Sequence, residues 1–426
     1  MAKLLVVHGS HFKNMTPLKI FPHFPLAFSF LIVGIFPPQI FPQVKPGIEV
    51  LLNQHLPFIQ NKRLGLITNP TGVTSDLTST IDVLHDLPKV KLVALFGPEH
   101  GVRGDAFAGE KVGHSVDRKT GVPIYSLYNG PFAPPTPEML KNVDVLIYDI
   151  QDIGSRAYTY IYTMALAMQG AAQAKIPFIV LDRPNPLGGH LIEGPVLEER
   201  FKSGIGMYPI PYIYGLTVGE LAKYFNEEFG IHADLTIIPM EGWRREMFFA
   251  DTGLPWVLTS PHVPHPETAF HIAATGCIGE LESLSEGVGY TLPFEIIGQT
   301  WIDPEKFAND LNQRRLPGVR FRPLYFRPYY FAHKDKQLAG AQIHLVNARE
   351  FRPMLTQLHI LASLLKLFPG QTVFNAARLA SFERAMGTDQ TRLQLLRGES
   401  PETIIAGWEN DLAGYRQKRE KYLLYP

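Results

Sequence analysis

The sequence predicts an α/β protein: a parallel β-sheet with helices on both faces, followed by a smaller α+β domain. Three observations predict it. Short apolar runs alternate with helix-length amphipathic segments through residues 63–239, each separated by a turn, which is the pattern of a parallel sheet. After about residue 270 that alternation stops, and segments rich in aromatics, Pro and Arg take over. The chain has 426 residues, too many for one small core.

The elements follow in order. Residues 48–60 (IEVLLNQHLPFIQ) read as a short helix, and 63–68 (RLGLIT) as a strand ending in Asn69-Pro70-Thr71-Gly72. Residues 78–85 suit a helix leading into strand 91–96, an apolar run stopped by Gly97-Pro98. A short strand at 121–127, a Pro-rich loop at 131–137 and a helix end at 138–142 come next. Residues 143–147 are a buried strand, 158–173 a helix, and 176–181 the next strand, with DRPNPLGG as its outlet loop. Residues 216–229 form an amphipathic helix; Thr217 with Glu220 three residues on fits a capping box. Residues 235–239 end the series. Beyond it, AFHIAATGCIGEL, 304–313 and 354–367 read as helices, AQIHLV (341–346) as a strand, and 415–425 as a charged terminal helix. The expected division is residues 1–46 as an N-terminal segment, 47–270 as the sheet domain and 271–426 as the second domain.

Lysine and arginine number 40, aspartate and glutamate 40. No field of one sign favours nucleic acid or an anionic membrane, and no basic run with interleaved aromatics offers a nucleic-acid surface. Cys277 is the single cysteine, which excludes an intrachain disulfide and a Cys-rich metal site. Beside Ala273, Ala274 and Ile278 it reads as a small buried hydrophobe. Residues 1–46 are rich in Phe, Ile and Pro. Counted from Met15, Lys19 precedes a long apolar stretch, the order of a secretory signal peptide. Its uninterrupted part, Leu26 to Phe36, is too short to span a bilayer, and Pro22, His23 and Pro25 break the run before it. Residues 1–46 are therefore expected to be a signal peptide or a disordered arm, the protein to be secreted or periplasmic, and no integral membrane span to be present. The sequence carries no signal for oligomeric state.

No G-x-G-x-x-G follows a strand, and the P-loop, G-x-S-x-G and H-E-x-x-H patterns are absent, which removes support for dinucleotide, nucleotide, serine-elbow and zincin chemistry. Four polar strand outlets remain. They carry Asn69; then Glu99, His100, Arg103 and Asp105; then Asp149, Gln151, Asp152, Ser155, Arg156 and Tyr158; then Asp182, Arg183 and Asn185. Ligands of open α/β sheets bind at the carboxyl ends of the strands, and loops on a rigid scaffold carry catalytic groups. The competing role for each residue is helix capping or loop building.

Glu99 makes the best catalytic acid. Glycosidic cleavage needs a protonated carboxyl beside the leaving oxygen and a second group opposite, and an acid next to an apolar strand end can be raised by desolvation. The alternative is a carboxylate that bonds backbone N–H groups of its Gly-rich turn. Asp149, Asp152, Glu280 and Glu286 are the candidates for a second carboxylate. Asp149 or Asp152 pairing with Arg156 or Arg183 is the commoner fate of such mixtures, while Glu280 and Glu286 open the second domain, where an interdomain cleft would lie. In SPHVPHPETAFH, His262 and His265 could hold a metal with a third ligand, but the spacing fits no tetrahedral site and Pro261, Pro264 and Pro266 stiffen the loop. A substrate-lining loop, with Trp256 to stack on a sugar, is the better reading. Trp243 reads as packing, and Tyr325–Phe331 as core in preference to a carbohydrate platform. No cofactor is expected.

The segments GLITNPTGVTSD, LFGPEHGVRGDAFAGE, TGVPIYSLY, VLIYDIQDIGSRAYTYIYTM, LDRPNPLGG and GLTVGELA resemble the bacterial DUF1343 family of exo-β-N-acetylmuramidases, which remove terminal N-acetylmuramic acid from peptidoglycan fragments. The resemblance runs from about residue 48 to the end. It implies a Rossmann-like catalytic domain, a smaller C-terminal domain and a cleft between them. The family's G-P-E-H-G glutamate falls on Glu99, and its later acid and Pro-Phe-Glu pattern falls on Glu280 and Ser285–Glu295, with Glu286 fitting a variant. The chain departs from the family pattern at Val288-Gly289-Tyr290, where Arg-Gly-Thr is expected, at Ile213-Tyr214, where Arg-His is expected, and at His262, where Asn is expected. Muramic acid carries a lactyl carboxylate, whose natural partner is an arginine; with those positions changed, Arg103, Arg156 or Arg183 would serve. The resemblance implies a glycoside hydrolase acting on a peptidoglycan-derived saccharide. Its rivals are a non-catalytic cell-wall glycan-binding protein and an esterase or amidase on the same polymer.

Overall fold

The computed structural model describes residues 43–104, 115–128 and 133–426. The first sheet holds β1 (Arg63–Thr68), β2 (Lys91–Gly97), β3 (Ser115–Val116), β4 (Pro123–Ser126), β5 (Val145–Asp149), β6 (Phe178–Leu181) and β7 (Leu235–Ile238). Their order is β3-β4-β2-β1-β5-β6-β7. Every neighbouring pair is parallel except β3 with β4 at the edge. The chain moves outward from β1 through β2 to β4, crosses back to β5 on the other side of β1, and then moves outward again. The order therefore reverses between β1 and β5, where open sheets of this kind have their crevice.

The apolar runs are explained by burial on both faces. Every residue of β5 and β6 is buried, and neighbours along a strand face opposite layers. Leu66 packs with Ile48 and Ile81 on one face, while the adjacent Ile67 packs with Met164 and Leu221 on the other. The helices of this part are α1 (Gly47–Gln54), α2 (Thr80–Asp86), α3 (Pro137–Leu140), α4 (Tyr160–Ala174) and α5 (Val218–Glu228). The expected capping box of α5 is present: Thr217 accepts from the Glu220 N–H, and the Glu220 carboxylate accepts from the Thr217 N–H.

The second part contains α6 (Thr268–Gly279), β8 (Ile296–Gln299), α7 (Pro304–Gln313), β9 (Val319–Phe326), β10 (Leu338–Leu345), α8 (Pro353–Leu367), α9 (Leu379–Met386), α10 (Gln390–Leu396), α11 (Pro401–Ala406) and α12 (Glu409–Arg419). Its sheet is antiparallel, in the order β8-β10-β9. The architecture is thus a two-domain α/β fold with a larger, mainly parallel sheet and a smaller antiparallel one. β9 escaped the sequence reading because Pro323 interrupts it; it is an edge strand, where a missing N–H is tolerated. The two parts share one hydrophobic core that runs from Ile67 and Phe96 to Leu358 and Leu412. The chain end closes back on the first sheet: the Tyr425 hydroxyl donates to Asp182 at 2.5 Å.

The fold begins ahead of the boundary read at residue 46. Val44 is fully buried, its N–H donates to the Thr252 carbonyl, and Lys45 bridges to Glu241. The signal-peptide segment otherwise lies outside the described residues. Among the described residues no helix is long and apolar enough to cross a membrane.

Candidate active site

The β2 outlet turns sharply, with positive φ at His100 and Gly101. Half-buried Glu99 accepts a hydrogen bond from the Thr159 hydroxyl at 3.0 Å, just before α4. It also hydrogen-bonds Tyr128, whose phenol is pushed up to about 12 by burial and then by the Glu99 charge. His100 lines a groove of about 700 Å³, with Ser155 and Tyr158 from the β5 outlet, Ser260 and His262 from the loop before α6, and Glu280 at the end of α6. The groove continues past His262, Glu280 and Phe294 into a pocket of about 810 Å³ that adds Glu286, Phe331, His333 and Arg378.

Glu280 and Glu286 bring two protonatable carboxyls to this space. Burial raises Glu280 above its ordinary value, against the pull of Arg378. Burial pushes half-buried Glu286 up to about 7, and the charges of Glu280 and Glu282 add to the shift. Burial thus lets Glu286 hold a proton closer to neutral pH than an ordinary carboxyl does.

Several residues expected at the site are instead internal supports. Asp149 is fully buried in a bidentate pair with Arg183, at 2.5 and 2.9 Å, and takes a further bond from Thr80; it has no face toward the groove. Asp152 is buried, accepts from the Gly154 N–H and the Tyr214 hydroxyl, and is raised to about 6 by desolvation. Arg156 is fully buried and gives its terminal nitrogens to the carbonyls of Pro195, Ile210, Ala385 and Met386. It clamps the β5 outlet to the end of α9 and cannot meet a substrate. Asp182 caps α5, accepting from the Gly219 N–H and the Thr217 hydroxyl; burial pushes it up to about 7. Asn185 holds its own loop through the Leu187 N–H and the Leu216 carbonyl. It lies so close to Gly154, at φ +82°, that a Cβ there would meet its Oδ1 at 2.3 Å.

Asn69 accepts from Thr71, and the Gln151 amide donates to the Asp152 and Pro184 carbonyls. Gln151 and Arg183 also edge a separate pocket of about 330 Å³ with Trp256. Arg103 forms a fork with Asp117 at 2.9 and 3.0 Å at another surface, away from Glu280 and Glu286. Asp105 lies outside the described residues. None of the three arginines expected to receive a lactyl carboxylate lines the groove.

The aromatic cluster also differs from expectation. Phe326 is core, but Tyr325, Tyr329, Tyr330 and Phe331 are exposed, at 65, 61, 44 and 57 %. The Tyr330 hydroxyl lies 2.9 Å from His262 Nε2, so the strip adjoins the groove. Trp243 is packed, as expected, against Tyr425. Cys277 is buried, which pushes its thiol up to about 12. Among the described residues no group of His, Cys, Asp and Glu has metal-holding geometry. Sequence reasoning did not single out Tyr128, Thr159, His333 or Arg378. Tyr128 ends a strand-outlet motif and could have been found there; Arg378 lies 98 residues from Glu280, and nothing local marks it.

Comparison with known proteins follows this geometry. Residues 64–267 match the family model described as exo-β-N-acetylmuramidase NamZ, N-terminal, and residues 273–425 match its C-terminal counterpart. The chain is 48 % identical over 384 residues to the peptidoglycan β-N-acetylmuramidase NamZ of Bacillus subtilis (strain 168), covering 90 % of this chain and 92 % of that protein. It also resembles two crystal structures of DUF1343 family proteins from Bacteroides fragilis NCTC 9343. One is 45 % identical with a TM-score of 0.85, covering 91 % of this chain and all of the other; the second is 28 % identical with a TM-score of 0.71, covering 90 % and 99 %.

Proposed function

We infer the function from one premise: the chain belongs to the exo-β-N-acetylmuramidase NamZ family. On that premise the protein is a glycoside hydrolase that releases terminal β-linked N-acetylmuramic acid from peptidoglycan fragments. One observation carries the reading onto this chain's own residues. The groove is lined by His100, the neighbour of Glu99 on the parallel-sheet side, and by two raised carboxyls, Glu280 and Glu286, from the end of α6 and the loop beyond it. Glycoside cleavage asks for such a set, one carboxyl to protonate the leaving oxygen and one to assist at the anomeric carbon. We assign proton transfer to Glu99, which Thr159 and Tyr128 hold in place. The assisting group is Glu280 or Glu286, or the substrate's own acetamido oxygen. Asp149 and Asp152 are set aside because both are sealed from the groove. His100, Ser155, Tyr158 and His262 line the sugar's path. The N-terminal order of Lys19 and the apolar run after it supports action outside the cytoplasm.

The test is hydrolysis of a chromogenic β-N-acetylmuraminide. The wild type should turn over, and Glu99→Gln should lose at least about a hundredfold in kcat while keeping its fold by circular dichroism. Equal activity in the two proteins removes Glu99 from the mechanism. Mass analysis of digested muropeptides separates the rivals: a binding protein releases nothing, and an esterase or amidase frees an acyl group or peptide with the glycosidic bond intact.

A further inference from the structure

An N-acetylmuramyl unit differs from N-acetylglucosamine by the lactyl ether at O3, which ends in a carboxylate. An enzyme that selects the muramyl sugar needs a cation or a set of donors for that group. The arginines near the strand outlets are all committed elsewhere. Arg183 is locked to Asp149, Arg156 to backbone carbonyls, and Arg103 to Asp117 at another surface.

Arg378 differs from them. It stands just before α9, lines the deeper pocket, and its side chain is 34 % exposed. Its acidic contacts both run through Nη2 and are long, 3.5 Å to Glu280 and 3.2 Å to Glu282. Nε donates to the Glu280 carbonyl at 3.2 Å. Nη1 has no hydrogen bond among the described residues. Compared with the Arg103–Asp117 fork, this guanidinium is anchored but unsaturated, and a planar fork is the donor set that suits a carboxylate.

His333 supplies an independent observation. It lines the same pocket, is 8 % exposed, and neither ring nitrogen closes a hydrogen bond of good geometry among the described residues. The Glu282 and Leu284 carbonyls lie beside the ring and favour its protonated form. A buried imidazole that closes no well-formed hydrogen bond with those carbonyls gains from a further partner. A ligand oxygen in the pocket would be one.

We propose that Arg378 and His333 form the subsite that receives the lactyl carboxylate, and that this pair makes the groove selective for the muramyl sugar. The proposal rests on the glycosidase reading above and names the group that the same groove recognises. Glu280 and Glu282 hold the guanidinium through Nε and Nη2 and leave Nη1 for substrate. A substrate whose lactyl carboxyl is tied up as an amide or ester lacks the charge and binds less well.

Calorimetry on the full chain tests this with free N-acetylmuramic acid and its lactyl methyl ester. The wild type should bind the acid about 10- to 100-fold more tightly than the ester, the range of one charge-assisted hydrogen-bonded contact. Arg378→Gln should bring that ratio to about one, and Arg378→Lys should restore part of it. With the chromogenic muraminide, the loss in Arg378→Gln should fall on KM more than on kcat. A wild type that binds acid and ester alike overturns the proposal, and so does an Arg378→Gln protein that weakens both equally. If the variants do not fold, the wild-type ratio alone decides. Failure of the glycosidase reading looks different: a wild type that prefers the acid yet never cleaves the muraminide loses the activity and keeps the subsite.

Discussion

Asp149 and Arg183 close a bidentate ion pair at the carboxyl ends of β5 and β6, with Nε to Oδ1 at 2.5 Å and Nη2 to Oδ2 at 2.9 Å. Both side chains are buried, and Arg183 ties the pair to the β1 outlet through the Val73 carbonyl. Through Val73 the pair reaches the reversal in strand order between β1 and β5, where a ligand crevice is expected, and fills part of it with protein. Removing one partner strands the other charge in the interior. Asp149→Ala is expected to cost about 3–5 kcal/mol, read from urea unfolding. The double variant Asp149→Ala with Arg183→Met should cost less than the sum of the two single changes. An Asp149→Ala protein of wild-type stability would return Asp149 to the list of chemical groups.

The hydroxyl of Thr159 serves Glu99 rather than the helix it precedes. Thr159 stands at the amino end of α4 without making a side-chain cap bond, and its hydroxyl donates to Glu99. Thr159→Val keeps the shape and removes the donor. The expected result is a fall in kcat of about tenfold, the scale of one side-chain hydrogen bond. The melting temperature should stay within a few degrees, since no cap is lost. A large drop in stability with unchanged kcat would assign Thr159 to the helix instead.

The contrast between those two residues shows what was legible. Apolar runs and turns placed most strands of the first sheet to within two residues, because burial on both faces leaves little room for other side chains. The strand outlets were legible for the same reason. Which outlet residue faces a ligand was not, because the decision is made by partners distant in sequence. Arg156 and Arg183 looked like substrate donors until Ala385 and Asp149 took their hydrogen bonds. Tyr329, Tyr330 and Phe331 looked like core because hydrophobicity does not say which side of an edge strand and its following loop is covered. Arg378 and His333 carry no local motif, and only the packing of the later helices and loops around α6 brings them to the groove.

The exposed aromatic strip should matter for longer substrates. Phe331 lines the deeper pocket, and Tyr330 meets His262 at the groove. Exposed aromatic surface beside a groove marks a binding face, and each ring offers a flat apolar body with, in tyrosine, a polar edge. Tyr329→Ala and Tyr330→Ala are expected to raise KM on extended glycan fragments by roughly fivefold, about 1 kcal/mol each. The effect on a single-sugar chromogenic substrate should be smaller. An equal rise on both substrates would place the rings in the first sugar's site, and no rise on either would leave the strip outside the glycan path.

Asp152 makes stability depend on pH in the direction opposite to a salt-bridged acid. Burial holds its carboxyl at about 6 in the folded chain, against 3.8 ordinarily, and its Oδ1 has no partner among the described residues. Between those values the folded chain keeps a proton that the unfolded chain has released. Stability rises with pH where the unfolded state binds more protons, so here it falls. The contribution of Asp152 is complete below 3.8, is lost as pH climbs to about 6, and is flat beyond; the total is on the order of 3 kcal/mol. Glu286 and Asp182, both at about 7, add losses of the same sign up to that pH. Asp117, held at about 2 chiefly by Arg103, works the other way: its stabilisation is present above 3.8 and disappears as pH drops toward 2. The urea midpoint of the wild type should therefore peak near pH 4 and decline toward pH 7. Asp152→Asn keeps the shape and removes the titration, so its midpoint should fall measurably less between pH 4 and pH 6 while retaining the losses due to Glu286 and Asp182 up to pH 7. A variant whose pH 4 to pH 6 decline equals that of the wild type would place this titration on another group and leave Asp152 ionised in the folded protein.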